Sequence, residues 1–312
     1  MSPAATETAV EKVVWSAKQV KPAPVVSEGH KHGGEDLTPL QAVCHGDQVL
    51  PAIPSFTSKA KERAWLLEHM AAVFRAWSRM GFCEGLSGHI SVRDPEKDAI
   101  WMNPLGKHFG LMTAGDMICL DMEGRVIGGN RERPANAAGF LIHSAIHKRR
   151  PDVRAICHAH TQAGRAWAAF GRPLDMLSQD ICTFHDHLAV YNDYGGIVFI
   201  SDEGERIASA LGPKNKAAIL MNHGLITVGG TVDEAAFLFA LLEHSCDIQL
   251  KVEAAAANGL EKVIIAPEEA AYNFKMASDP ETLYLEWQTE YDYEEEISNG
   301  AFKKGSEKQC LD

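Results

Sequence analysis

Residues 153–166, VRAICHAHTQAGRA, limit the fold more than any other stretch of the chain. A run of small and branched apolar residues ends in His158-Ala159-His160 and passes straight into TQAGRAWAAFG, a segment of helical character closed by Gly171. A strand this apolar needs cover, so the segment predicts a sheet with helices packed against it. In a strand, residues two apart point to the same side, so the two imidazoles project together from one rigid element. They also stand where the strand ends, which is where open α/β sheets place their sites.

The rest of the chain fits that frame. KAKERAWLLEHMAAVFRAWSRMGF places Trp65, Leu66, His69, Val73, Ala76 and Trp77 on one helical stripe, with Gly81 positioned to end it. Short strands follow at 89–93, 99–104 and 117–121, and the turn MEGR leads into VIGG. Residues 136–150 read as a helix with basic residues in its last turn. GIVFIS reads as a strand, and DEGERIASALG as a helix capped by Asp202. KAAILMNHG and LITVGG form strands around a tight turn at His223-Gly224, and a long helix runs from Thr231 to Gly259. The order predicts one three-layer α/β domain over 58–260, with a mixed sheet between helices. Residues 1–57, rich in Pro, Gly and charge, read as a disordered N-terminal tail, and 261–312 as an acidic C-terminal extension.

Composition removes several classes of function. A net charge of −12 leaves nothing to neutralise a nucleic-acid backbone or an anionic membrane surface. Seven irregularly spaced cysteines make no disulfide framework and read as reduced residues. No secretory leader pattern and no apolar run of about 20 residues is present. The expectation is a soluble cytoplasmic protein.

Histidine carries the chemistry. Of three His-x-His pairs, His30 and His32 fall in the tail, and His185 and His187 lack a clear element around them. KAAILMNHG runs a second apolar strand into Asn222-His223-Gly224, a setting parallel to that of His158 and His160. If these strand ends meet, three neutral imidazoles face one point, the ligand count of an open catalytic Zn²⁺ site. If they do not, they are separate strand-end histidines bonded to backbone.

GHISVR, NPLG, RPDVRAICHAH and LMNHGLITVG, in this order and spacing, resemble the class II aldolase/adducin domain family over roughly 62–258. The wording of 136–160 is similar to a fungal branch of it. The resemblance implies a three-layer α/β/α domain with a central, mainly antiparallel sheet, and a homo-oligomer, tetrameric in the sugar-phosphate members. It implies a divalent metal, Zn²⁺ first and Mn²⁺ or Fe²⁺ next, held by His158, His160 and His223.

The departures from the family's pattern matter as much. Counting back from His143, the places of the Ser-Ser-Glu run that supplies phosphate contacts and the acid/base carboxylate hold Ala137, Ala138 and Gly139. The Thr-Pro-Ser-Gly phosphate loop reads Asn103-Pro104-Leu105-Gly106, and the Gly-Asn turn has become Gly88-His89. A phosphate dianion there would lose hydrogen-bond donors, at a cost of several kcal/mol. The expected activity is therefore carbon–carbon cleavage, of aldolase or decarboxylase type, on a small oxo or hydroxy acid without phosphate. His89, His185 and Tyr191 are candidates for the missing acid/base. Arg93, Asn103, Gly106, Lys107 and His108 are candidates for substrate contacts, and Asp186 for orienting a neighbouring His. Two alternatives stand beside this: a non-haem Fe(II) oxygenase on the same fold, and a non-catalytic, adducin-like actin-binding module. The acidic C-terminal stretch argues against actin.

Overall fold

A computed structural model describes residues 37–45, 49–196 and 201–309. Among these, eight strands form one sheet in the order β4-β3-β2-β1-β5-β8-β7-β6. They are β1 (His89–Arg93), β2 (Ala99–Met102), β3 (Ile118–Asp121), β4 (Val126–Gly129), β5 (Ala155–Ala159), β6 (Leu188–Tyr191), β7 (Ala217–Leu220) and β8 (Gly224–Gly229). Every neighbouring pair is antiparallel except β6 and β7, which run parallel. The central strand β5 lies between β1 and β8, and its burial is complete. That is why it reads as an almost unbroken apolar run.

The period-2 alternation of the strands divides the core into two faces. Ala155, Cys157 and Ala159 of β5, with Ile90 and Val92 of β1, join one apolar cluster with α2 (Lys59–Arg79) and α6 (Val232–Ala256). Ile156 of β5, with Ile226 and Val228 of β8, joins another with α3 (Ala137–Arg149) and α5 (Ser201–Leu211). His158 and His89 therefore fall on the α3 side. Helix α4 (Gln162–Ala168) follows β5 and buries Trp167 in the first cluster. The result is the expected three-layer α/β/α arrangement with a mainly antiparallel sheet.

The N-terminal end departs from the reading above, and the C-terminal extension takes a definite form. Within the expected tail, α1 (Pro39–Val43) carries a reciprocal cap between Thr38 and Gln41 and buries Leu40. Residues 1–36, with His30 and His32, lie outside the described residues, as does most of the GIVFIS segment. The C-terminal extension is largely helical: α7 (Pro267–Ala277) and α8 (Pro280–Ser298). Leu283 and Trp287 of α8 are buried in the same cluster as α2 and α6. Its charge is absorbed too, since the nearly buried Glu294 pairs with Arg75 and Arg79 of α2. The acidic composition coexists with an apolar stripe that joins the core. Asp202 sits inside the first turn of α5 rather than preceding it.

Candidate metal centre

The β7–β8 turn brings the third imidazole to the other two. Leu220 pairs with Gly224, and Ala159 with Leu225, so the end of β5 lies beside the turn that carries His223. Asn222 takes a left-handed backbone (φ 57°), which asparagine tolerates better than most residues. At Gly224 an added Cβ would lie 3.2 Å from the Ala159 carbonyl, so glycine permits the close approach. Ring centroids of His158, His160 and His223 are 4.8–5.1 Å apart. One nitrogen from each lies within 4.8 Å of the others.

Hydrogen bonding and burial prepare these rings as ligands. His158 Nδ1–H donates to the Leu225 carbonyl at 2.8 Å, which fixes the tautomer and leaves Nε2 with its lone pair free. That Nε2 is buried without a hydrogen-bond partner, an orphaned acceptor that a metal ion would satisfy. Burial pushes the imidazolium forms of all three down, with His223 brought to about 4, so the lone pairs are available at neutral pH. The donor set is three neutral nitrogens, which suits Zn²⁺ and other borderline divalent ions. Among the described residues no carboxylate joins the cluster.

A cavity of about 240 Å³ opens on the rings of His160, His223 and His89. Leu86, Ala138 and Ile142 supply much of its apolar wall, and Ser87, Asn136 and Tyr194 its polar positions. No Lys or Arg is among the described residues that line it. Sequence reasoning missed Ser87, Asn136 and Tyr194. Asn136 caps α3, its side chain accepting from the Gly139 amide at 2.9 Å; an Asn just ahead of a helix is the signal that could have found it.

The His89 ring fills the space beside Gly139. It pairs with His158 across the β1–β5 ladder, and the two rings stack at 4.8 Å. A Cβ built at Gly139 would stand 2.5–2.8 Å from its ring atoms. No side chain of any kind fits at 139 while that ring is in place. Glycine at 139 and histidine at 89 thus fit each other sterically.

The other anticipated site residues lie elsewhere. His185 precedes β6, and β6 starts opposite Ala217 whereas β7 ends toward His223, so His185 is at the far end of the sheet. Its Nε2 is 3.8 Å from the exposed Asp186. Tyr191 ends near the correct side, but its hydroxyl donates to Glu203 at 2.9 Å, and burial first, then that carboxylate, pushes its pKa up to about 12. Arg93 lies four residues from His89 along β1, about 13 Å at strand rise, and donates to the carbonyls of His147 and Val153. Asn103 accepts from the Ile90 amide at 3.2 Å and donates to the Gly88 carbonyl, so it braces the turn before His89. The Gly106 carbonyl accepts from Arg133, Lys107 pairs with Asp116 at 2.5 Å, and His108 caps a short 3₁₀ turn. The altered phosphate loop has become bracing.

This fold, with three histidines converging from strand ends, defines the class of protein. The chain belongs to the class II aldolase and adducin N-terminal domain family, which residues 68–250 match. It is 41% identical over 249 residues to the Meiotically up-regulated gene 14 protein of Schizosaccharomyces pombe, covering 80% of this chain and 96% of that one. It is 44% identical over 229 residues to 4-hydroxy-3-prenylphenylpyruvate oxygenase/4-hydroxy-3-prenylbenzoate synthase of Streptomyces roseochromogenus subsp. oscitans, covering 72% and 80%. Among solved structures it is similar to L-fuculose 1-phosphate aldolase from Glaciozyma antarctica PI12, with TM-score 0.74, 40% identity and coverage of 81% of this chain and 97% of that chain.

Proposed function

We propose that this chain is a metal-dependent carbon–carbon lyase, of aldolase or decarboxylase type, acting on a small oxo or hydroxy acid that carries no phosphate. The observation that carries the reading is the meeting of His158, His160 and His223 at a cavity whose acid/base position is filled by His89. A divalent cation held by those three rings, Zn²⁺ first and Mn²⁺ or Fe²⁺ as alternatives, would supply a Lewis acid that polarises a substrate carbonyl.

The chain's own side chains do the rest. His89 is the group that takes or returns a proton at the reacting centre, in place of the missing carboxylate. Leu86, Ala138 and Ile142 receive the apolar part of the substrate and exclude water. The similarity to a protein named as a sugar-phosphate aldolase favours aldol chemistry, but a dianionic phosphate would meet no cationic side chain on this wall. A homo-oligomer and a cytoplasmic location belong to the same reading. The actin-binding alternative draws nothing from this site.

The test is turnover of the metal-loaded protein on matched pairs of oxo and hydroxy acids with and without a phosphate. Cleavage of the phosphate-free member by the parent, lost in His223→Ala, is expected. Preference for the phosphorylated member would overturn the substrate assignment. A second reading, oxygenase chemistry, is favoured by the name of the 44% identical relative together with an all-histidine donor set. Oxygen uptake coupled to substrate loss, absent under anaerobic conditions, would select it over the lyase.

A further inference from the structure

Behind His89 runs a continuous line of buried polar groups between β1 and α3. His89 Nδ1 is 3.0 Å from His143 Nε2, and His143 Nδ1 is 2.7 Å from Ser91 Oγ. Ser91 Oγ is 2.9 Å from His147 Nε2, and His147 Nδ1 is 3.3 Å from the Val153 carbonyl. All four side chains are buried, three of them completely. The strand supplies His89 and Ser91 from one face. The helix supplies Gly139, His143 and His147 at intervals of four, with glycine making room for the His89 ring.

A carbonyl can only accept, and that fixes the direction of the whole line. His147 must carry its proton on Nδ1 to donate to Val153, so its Nε2 is an acceptor. Ser91 then donates to His147 and accepts from His143 Nδ1–H. His143 Nε2 in turn accepts from His89 Nδ1–H. Burial keeps these imidazoles uncharged, so each has one proton to place.

We infer that Ser91, His143 and His147 are positioning residues that lock His89 as the Nδ1–H tautomer and leave its Nε2 as a bare proton acceptor at the cavity. Nothing among the described residues bonds that Nε2. The catalytic consequence rests on the reading above: His89 receives a proton from the substrate before it gives one back. A single backbone carbonyl beyond the C-terminal end of helix α3 thus decides which nitrogen of His89 is basic.

The tautomer is measurable without substrate or metal. Long-range ¹H–¹⁵N correlation spectra of ¹⁵N-histidine-labelled, metal-free protein are expected to show His89 protonated on Nδ1, with the signal assigned by its loss in His89→Gln. In Ser91→Ala, His143 loses its acceptor and can turn its proton toward His89, so an Nε2–H form of His89 should appear. Ser91→Thr keeps the hydroxyl and should keep the parent pattern. Should Ser91→Ala fail to fold, His147→Phe removes at similar volume the nitrogen that accepts from the Ser91 hydroxyl; that hydroxyl is then free to donate to His143 Nδ1, which turns the His143 proton toward His89 and should shift the tautomer likewise. An Nε2–H His89 in the parent protein, or an unchanged Nδ1–H signal in the folded Ser91→Ala or His147→Phe variant, overturns the inference. Because no turnover is involved, an inactive protein with the expected tautomer would count against the lyase alone, and an active one with the opposite tautomer against the lock alone.

Discussion

The histidines on the two sides of the cavity are held in different ways. On the β5–β8 side the anchor is main chain: His158 donates to the Leu225 carbonyl, and His223 rides on a turn whose backbone is fixed by Asn222 and Gly224. On the β1–α3 side the anchor is side chains: His89, His143, Ser91 and His147 each depend on the next. A ligand set by backbone is insensitive to its neighbours, whereas a relay fails as a unit when one member is removed. The separation matches the division of tasks proposed for them, holding a cation on one side and directing a proton on the other.

The sharpest way to break this contrast is at the backbone-held side. His158→Ala or His223→Ala should reduce metal affinity by more than about a hundredfold, beyond the usual loss of a supporting partner. Metal analysis after dialysis against a defined free concentration reads it, and equal occupancy in parent and variants would refute the centre. On the relay side, Gly139→Ala should destabilise by about 1–3 kcal/mol, because its Cβ collides with the His89 ring. In a His89→Ala background the same substitution should cost nothing, since alanine is the better helix former. Urea denaturation of all four proteins closes that cycle.

Acid acts on both sides, because burial holds His158, His160 and His223 below the usual imidazole range too, and His147 isolates the relay's share. Burial first, and then Arg93, brings His147 to about 3 in the folded state, against about 6.5 unfolded. Between those values the unfolded chain binds a proton that the folded one does not, so stability falls as pH drops below 6.5. The slope is about 1.4 kcal/mol per pH unit for this one group. His147→Phe should flatten the stability profile by one proton between pH 6 and 4, and an unchanged slope would remove His147 from the account. The smallest effect is expected outside both regions. Lys107→Gln breaks an ion pair with Asp116 and should shift stability by less than about 1 kcal/mol. Substrate KM should not move, and a large rise would return Lys107 to the site.

Much of this was legible before any coordinates. The H-x-H strand end and the second strand-end histidine pointed at a shared cation, and the four motifs placed the chain in its family. The relay was legible in principle, as a H-x-S-x-R strand facing a G-x₃-H-x₃-H helix, but neither pattern means anything until the two elements are known to face each other. Lys107 and Arg93 misled because a charged side chain near an altered loop looks the same in sequence whether it meets substrate, a carboxylate or a carbonyl. For the C-terminal stretch, composition shows the acidic face, and the burial of Leu283 and Trp287 that seats the helix shows only in the packed structure.

What the chain fixes locally is periodicity. Alternation marks strands, a stripe marks a helix, and a glycine or asparagine marks the backbone that ends them. Those signals act over a few residues, so they survive translation into sequence and set the layers and the strand ends near which His158, His160 and His223 stand. What only the packed molecule decides is adjacency between elements far apart in the chain. That His89 fills the space beside Gly139, and that a carbonyl at 153 directs its proton, follows from the register of β1 on β5 and the seating of α3 upon them. Such contacts depend on fractions of a helical turn, and no local pattern encodes them.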